Sequence, residues 1–398
     1  MTIVRIGTYE PVWDTGRGRT GGADEDVVTL AVAAAETILD DTSRIGRVVI
    51  VTRTPDVLDG VGLRVVSRAL GLGADVPVEL RVGGAPATLD ALLSQPAGTV
   101  VIGVDIDDPG TQSAAALIGA EGEGLGLGAA QRSLGSLPMR VRHVGLPAAA
   151  VYNDGRVERE LATAPLLTSL GSSDGPTYVA GLASRDAERL GAQPSSSPTA
   201  GAASALAMLA QLADAGSAAR LVALDTATAV GVDVVPGGSV TVRRESREAI
   251  AAQQRPVMKV AADIPFSMPA YARAFDAKVG LTAAQCECGT ISYPPRLVCL
   301  ECDRYDATHP VDLPRTGEVY STVMIHTPVP GVAGPYAVAI VSLDDSPVRV
   351  LAQVADAVAP GTDIGDRGRL VLRLVATREG VPDYGYAFQA GARSEITA

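Results

Sequence analysis

Residues 286–302 read CECGTISYPPRLVCLEC, that is Cys286-Glu-Cys288-Gly289, nine further residues, then Cys299-Leu-Glu-Cys302. These hold all four cysteines of the 398-residue chain. Two close-spaced pairs separated by a hairpin-sized insert are the sequence form of a tetrahedral four-thiolate zinc site, with sulfurs about 2.3 Å from the metal. Gly289 suits a backbone that must turn tightly around an ion. The first pair is C-x-C where such ribbons usually carry C-x-x-C, so the fourth ligand stays open between Cys286 and His309. With every ligand supplied by protein, the zinc has a structural role. A redox dithiol would need only one pair, and buried free thiols would not explain two.

On either side of this cluster the texture of the chain changes. Upstream lies a short amphipathic helix, Met268–Lys278. Downstream come VYSTVMIHTPV, YAVAIVSL, VRVLAQVA, GRLVLRLVAT and YGYAFQA, separated by turn residues at Pro328–Gly334, Asp344–Pro347, Pro360–Gly368 and Glu379–Asp383. Five short strands fit a small Greek-key barrel of the OB type. Residues 1–245 instead interleave β-branched runs (Val48–Thr52, Thr99–Val104, Leu221–Asp225) with helical patterns (Glu25–Leu39, Ala87–Ser94, Gly201–Ala215), which implies a largely parallel or mixed sheet covered by helices. The polar stretch 246–267 reads as a linker, residues 268–311 as helix plus ribbon, and 312–398 as the barrel.

Composition narrows the function. Hydrophobic residues make up 47% of the chain and the mean hydropathy is positive, which supports buried cores. A net charge of −12 argues against a nucleic-acid or anionic-membrane partner. The N-terminus MTIVRIGTYEPV lacks a basic segment followed by an apolar one, and no uninterrupted apolar run reaches membrane-spanning length; the reading is a cytoplasmic protein.

The C-terminal third resembles the zinc-ribbon plus OB-fold family whose members accompany thiolases and related acyl-CoA enzymes. The resemblance rests on Pro269-Ala-Tyr271, Cys288-Gly289, Tyr293-Pro294-Pro295-Arg296, Cys299-x-x-Cys302, Gly317-Glu-Val319, Tyr320-Ser-Thr322, His326-Thr-Pro328, Pro335-Tyr336, Ile364-Gly365 and Tyr386-x-Phe388. The first 245 residues look like a shortened thiolase-fold protein, nearest the 3-hydroxy-3-methylglutaryl-CoA synthase branch, through Ile6-Gly-Thr-Tyr-Glu-Pro11, the segment Gly22–Val32, and Ala200-Gly201-Ala-Ala-Ser204. Together these resemblances imply an α/β thiolase-like layered domain followed by a rubredoxin-like zinc ribbon and a small all-β OB-fold barrel. They also imply a CoA thioester as ligand of the assembled complex, and a catalytic thiolase-fold or synthase subunit as partner in a homo- or hetero-oligomer.

Thiolase-type acyl transfer needs a cysteine at a helix N-terminus, where the macrodipole favours the thiolate. The turn expected to carry it reads Val82-Gly83-Gly84-Ala85-Pro86, without a thiol. The histidine expected after Thr177–Ala180 is replaced by Gly181-Leu182, and the asparagine before Gly201 by Ser197-Pro198-Thr199. The resulting expectation is a non-catalytic accessory subunit whose OB domain helps bind or channel acyl-CoA. The alternative is a self-sufficient acyl-CoA transferase or C–C lyase working without cysteine, with Tyr152, Asp154 or Tyr178 for acid/base work. His143 and His326 read as positional residues. Asp24, Glu25 and Asp26 read as acidic residues that cap a helix start, Arg243, Arg244 and Arg247 as a solvated linker cluster with a CoA phosphate contact as the alternative, and Glu121–Gly128 as a flexible turn.

Overall fold

A computed structural model describes residues 1–40, 45–54, 61–106, 110–135, 140–141, 150–151, 160, 163–171, 175–193, 201–225, 228–256, 265–328, 332–356 and 361–391. The principal elements of the α/β part are, in chain order, β1 (Thr2–Tyr9), α1 (Val27–Glu36), β2 (Arg47–Thr52), α2 (Val61–Ala69), β3 (Val78–Val82), α3 (Ala85–Ser94), β4 (Thr99–Asp105), β5 (Gln112–Gly119), β6 (Leu125–Leu127), β7 (Thr177–Ala180), α4 (Ala202–Ala215), β8 (Ala219–Leu224), β9 (Thr228–Val235) and β10 (Thr241–Glu245). One mixed sheet runs β7-β8-β9-β6-β1-β5-β4-β2-β3, with β10 added parallel to β1.

The sheet contains one arrangement twice. In the first half the order is β3-β2-β4-β5-β1, with β5 antiparallel to the rest. In the second, Gln193 bridges in parallel to Tyr178 of β7, and β7, β8, β9 and β6 repeat the pattern with β9 antiparallel. Helix α3 precedes β4, and α4 precedes β8 at the corresponding place.

Both faces of the sheet are covered, which explains the unbroken apolar run of β2. Val49 and Val51 point into a core shared with Leu89 and Leu92 of α3 and Leu206 and Leu209 of α4. Val48 and Ile50, on the opposite face by strand alternation, meet Leu30 and Val32 of α1 and Val65 and Val66 of α2. Helix α4 approaches the sheet so closely that a Cβ on Gly103 would fall 2.5 Å from the Ala202 carbonyl oxygen, so only glycine fits there. The Gly-rich stretch expected to be a flexible turn is corrected here: Leu125–Leu127 forms β6, hydrogen-bonded between β1 and β9, with Leu125 and Leu127 buried.

Beyond β10 the chain stays attached to the α/β domain. Ile250 pairs with Trp13, and the Arg255 guanidinium donates to the Gly21 carbonyl at 2.6 Å. Next come α5 (Met268–Gly280), β11 (Thr282–Cys286) and β12 (Thr308–Asp312) of the ribbon, then the barrel strands β13 (Thr316–Ile325), β14 (Tyr336–Leu343), β15 (Arg349–Gln353), β16 (Arg367–Arg378) and β17 (Val381–Ala390). All five barrel strands fall on the stretches read from sequence, and β14 alternates inward and outward at every residue. Their order is β15-β14-β13-β16-β17, with a bridge from Val354 to Phe388 joining the two ends. The barrel does not float free: Val341, Tyr384 and Phe388 belong to the same apolar cluster as Leu30 of α1 and Val65 of α2.

Candidate functional site

The cysteine cluster is assembled by two backbone knuckles. The first follows β11, where Gly289 adopts φ +94° and its N–H donates to the Cys286 carbonyl at 2.8 Å. In the second, the Asp303 N–H donates to the Cys299 carbonyl at 3.1 Å, and the Glu301 N–H donates to Cys299 Sγ at 3.5 Å. The Cys286–Cys302 and Cys288–Cys299 sulfur separations are both 3.6 Å, and all four ligand atoms lie within 4.8 Å of one another. A tetrahedron with about 2.3 Å metal–sulfur bonds has edges of about 3.8 Å, so the cage has the size of a four-thiolate metal centre. The Thr290 hydroxyl and amide pull the Cys288 thiol down to about 6 and the Glu301 and Cys302 amides lower Cys299, whereas Cys286, despite the Cys288 amide, is pushed up to about 12 by burial and the neighbouring thiols, so a metal bound here would have to displace its proton. His309 is exposed on β12 opposite Gln285 and stands outside this set, leaving Cys286 at the fourth corner.

A second locus lies where the N-termini of α3 and α4 meet the ends of the strands. Gly84 is the N-cap of α3, and Ala85, buried, opens the helix where the resemblance demanded a nucleophile. At the N-terminus of α4, Asp105 from the end of β4 accepts hydrogen bonds from the Ala202 and Ala203 amides at 2.9 and 2.8 Å, while Arg53 Nε lies 3.3 Å from its Oδ1. Asp225, directly after β8, is the counterpart in the second half, its Oδ2 lying 4.0 Å from where a Gly84 Cβ would be. One helix end is thus already occupied by a carboxylate of the chain itself, and the other presents alanine and proline. Tyr178 is half-buried on β7, packed against the core. His143, Tyr152, Asp154 and Ser197–Thr199 lie outside the described residues, and His326 is exposed just beyond β13.

The acidic run before α1 divides. Asp26 is the N-cap, in a capping box with Thr29, and its second oxygen accepts from the Tyr384 hydroxyl of the barrel at 2.6 Å. Glu25 instead faces inward, accepting from Tyr9 Oη at 2.5 Å and from the Gly22 amide at 2.7 Å. Arg373, buried on β16, reaches Glu25 at 3.4 Å, Asp24 at 3.4 Å and Asp356 at 3.8 Å. Burial beside these groups raises the Asp24 carboxyl to about 7. Arg373, Asp356 and Tyr9 escaped the sequence reading, although an arginine inside the apolar run LVLRLV was the visible signal: a buried guanidinium must find carboxylates. Arg243 and Arg244 are not in a linker but on β10, bonded to Asp40 and Asp214 respectively, and Arg247 donates to Asp356 at 2.7 Å.

A family model described as the ChsH2 C-terminal OB-fold domain matches residues 310–373. The DUF35 domain-containing scaffold protein of Methanothermobacter thermautotrophicus is 32% identical over 117 residues, 28% of this chain and 87% of the relative. The chain belongs to the DUF35 domain-containing family. A second relative with this domain, from Methanocaldococcus jannaschii and also called a scaffold protein, is 29% identical over 27% of the chain and 80% of its own length. Among solved structures, an HMG-CoA synthase complexed with CoA is similar at 15% identity over 60% of this chain and 82% of that one, with a TM-score of 0.49. An aldolase described as Ltp2-ChsH2(DUF35) is similar at 27% identity, over 31% of this chain and 91% of that one, with a TM-score of 0.26. No helix among the described residues is long and apolar enough to cross a membrane.

Proposed function

We propose that this DUF35 protein is a non-catalytic accessory subunit that assembles with a thiolase-fold or synthase partner acting on acyl-CoA. The observation that carries the reading is the N-terminus of α3: Gly84, Ala85 and Pro86 occupy the strand-to-helix turn, and every thiol of the chain is in the ribbon. The Asp105 carboxylate on the α4 amides supports it further, because those donors are already engaged. The archaeal relatives, which are called scaffold proteins, support the same reading. In this reading Cys286, Cys288, Cys299 and Cys302 hold one zinc ion whose closed shell stiffens the ribbon, and the barrel contributes to the partner's acyl-CoA path.

The test is purification of the tagged chain from its native host, with identification of co-eluting proteins and a metal assay on the same fraction. A stoichiometric thiolase-fold partner together with one zinc per chain is the expected result. A chain that elutes alone from a host whose thiolase-fold enzymes are fully active without it would contradict the proposal.

A further inference from the structure

The barrel order β15-β14-β13-β16-β17 leaves β15 and β17 as end strands. Among the described residues they are joined at one place, where Val354 bridges to Phe388 and the Ala355 amide donates to the Phe388 carbonyl at 2.8 Å. Residues 350–353 of β15 and 385–386 of β17 instead line a crevice of about 320 Å³, together with residues of α5 and the ribbon. Val338, Leu351, Leu370 and Val375 give it an apolar lining, and Leu351 is 74% exposed. Tyr293, Tyr336 and Tyr386 complete the wall, and the buried hydroxyl of Tyr386 has no hydrogen-bond partner among the described residues. The volume lies at the lower end of small-molecule sites, which suits a compact ligand.

One charged side chain lines this crevice, Lys278 from the last turn of α5. Its stem runs past β17, since a Cβ on Gly385 would lie 3.8 Å from Lys278 Cε. Its ammonium meets Asp383, which is buried and divides its two oxygens between Lys278 Nζ and, at 3.0 Å, Arg378 Nε. Two cations on one carboxylate leave a positive charge over at this point. Asp276, the nearest carboxylate along α5, is turned to Arg68 at 3.1 Å. An ammonium has three donors, so Lys278 can hold Asp383 and accept a second anion.

We propose that this crevice binds a small apolar monocarboxylate, its carboxylate on the Lys278 ammonium and its hydrocarbon body between the two end strands. The apolar wall supplies affinity through burial, and the single cation at its side selects a single negative charge. The inference goes beyond the accessory role and does not rest on it: the ligand is a free acid, whereas a thioester offers Lys278 no charge at the same place.

Calorimetric titration of the full chain with octanoate, 3-phenylpropionate, octanol and octanoyl-CoA in turn tests it. Expected are saturable one-site binding of an acid, with octanol about tenfold weaker and octanoyl-CoA weaker than octanoate. Tighter binding of octanoate identifies a chain acid, and tighter binding of 3-phenylpropionate a ring acid. Lys278→Met is expected to lower acid affinity about tenfold and to leave octanol unchanged, while Leu351→Asn lowers both about fivefold. Ile364→Asn, exposed but outside the crevice lining, changes neither. Leu351 projects into solvent, so its variant tests the site even where Lys278→Met lowers the melting temperature. Absence of saturable binding, octanol bound as tightly as octanoate, octanoyl-CoA bound more tightly than either acid, or acid affinity unaltered in both crevice variants overturns the proposal.

Discussion

Arg373 draws three carboxylates, Asp24, Glu25 and Asp356, into the contact between two domains, with Arg247 as the second cation on Asp356. Burial raises the Asp24 carboxyl to about 7 and raises that of Glu25 as well, so both hold a proton more tightly in the folded state. A carboxyl whose folded pKa lies above its unfolded value binds more protons folded than unfolded, so its contribution falls as pH rises between about 4 and 7. The melting temperature of the native chain is therefore expected to drop from pH 5 to pH 7.5 more steeply than that of Asp24→Asn; parallel curves would refute the assignment. Arg373→Met leaves buried Glu25 without its counterion and is expected to cost about 3–5 kcal/mol in chemical denaturation. The acidic run was legible as a helix cap, and Asp26 does cap. The role of its neighbours was hidden because the partner lies in another domain, 348 residues along the chain from Glu25.

The barrel strands were readable one by one, since β14 and its neighbours bury alternate residues and their turns are marked by Gly, Pro and Asp. Strand β6 was not. Leu125-Gly-Leu127 has neither the length nor the β-branched residues of a strand, and it becomes one because β1 and β9 flank it. Helix α4 likewise depends on a residue from elsewhere: Asp105→Ala removes two charge-assisted bonds at its N-terminus and is expected to cost about 1.5–3 kcal/mol, read from the denaturation midpoint. In the ribbon, the two cysteine pairs come together as their spacing suggested, and His309 lies outside that cluster, which favours Cys286 as the fourth ligand of the proposed zinc site. Cys286→Ser and Cys299→Ser should lower bound zinc from one equivalent toward none, while His309→Ala retains it; metal analysis of the purified variants decides.

At the scale of the whole molecule, the barrel and the α/β domain share one apolar cluster, reinforced by Arg315 on Glu36 and the Ala69 carbonyl and by Arg68 on Asp276 and Asp312. A single calorimetric unfolding transition is expected, and removal of residues 268–398 would expose the faces of α1 and α2. The sequence texture that separated the parts so clearly could not reveal this joint, because each side reads as the ordinary core of its own domain. The consequence for function is that the ribbon and barrel act as part of one body with the α/β domain. The most direct measurement is acyl-CoA turnover by the purified full chain alone, by its co-eluting partner alone, and by the two combined. The scaffold account predicts no turnover by the chain alone and a rise in the partner's turnover on combining them. Turnover by the chain alone, abolished by Tyr178→Phe, would contradict it and establish an enzyme working without cysteine.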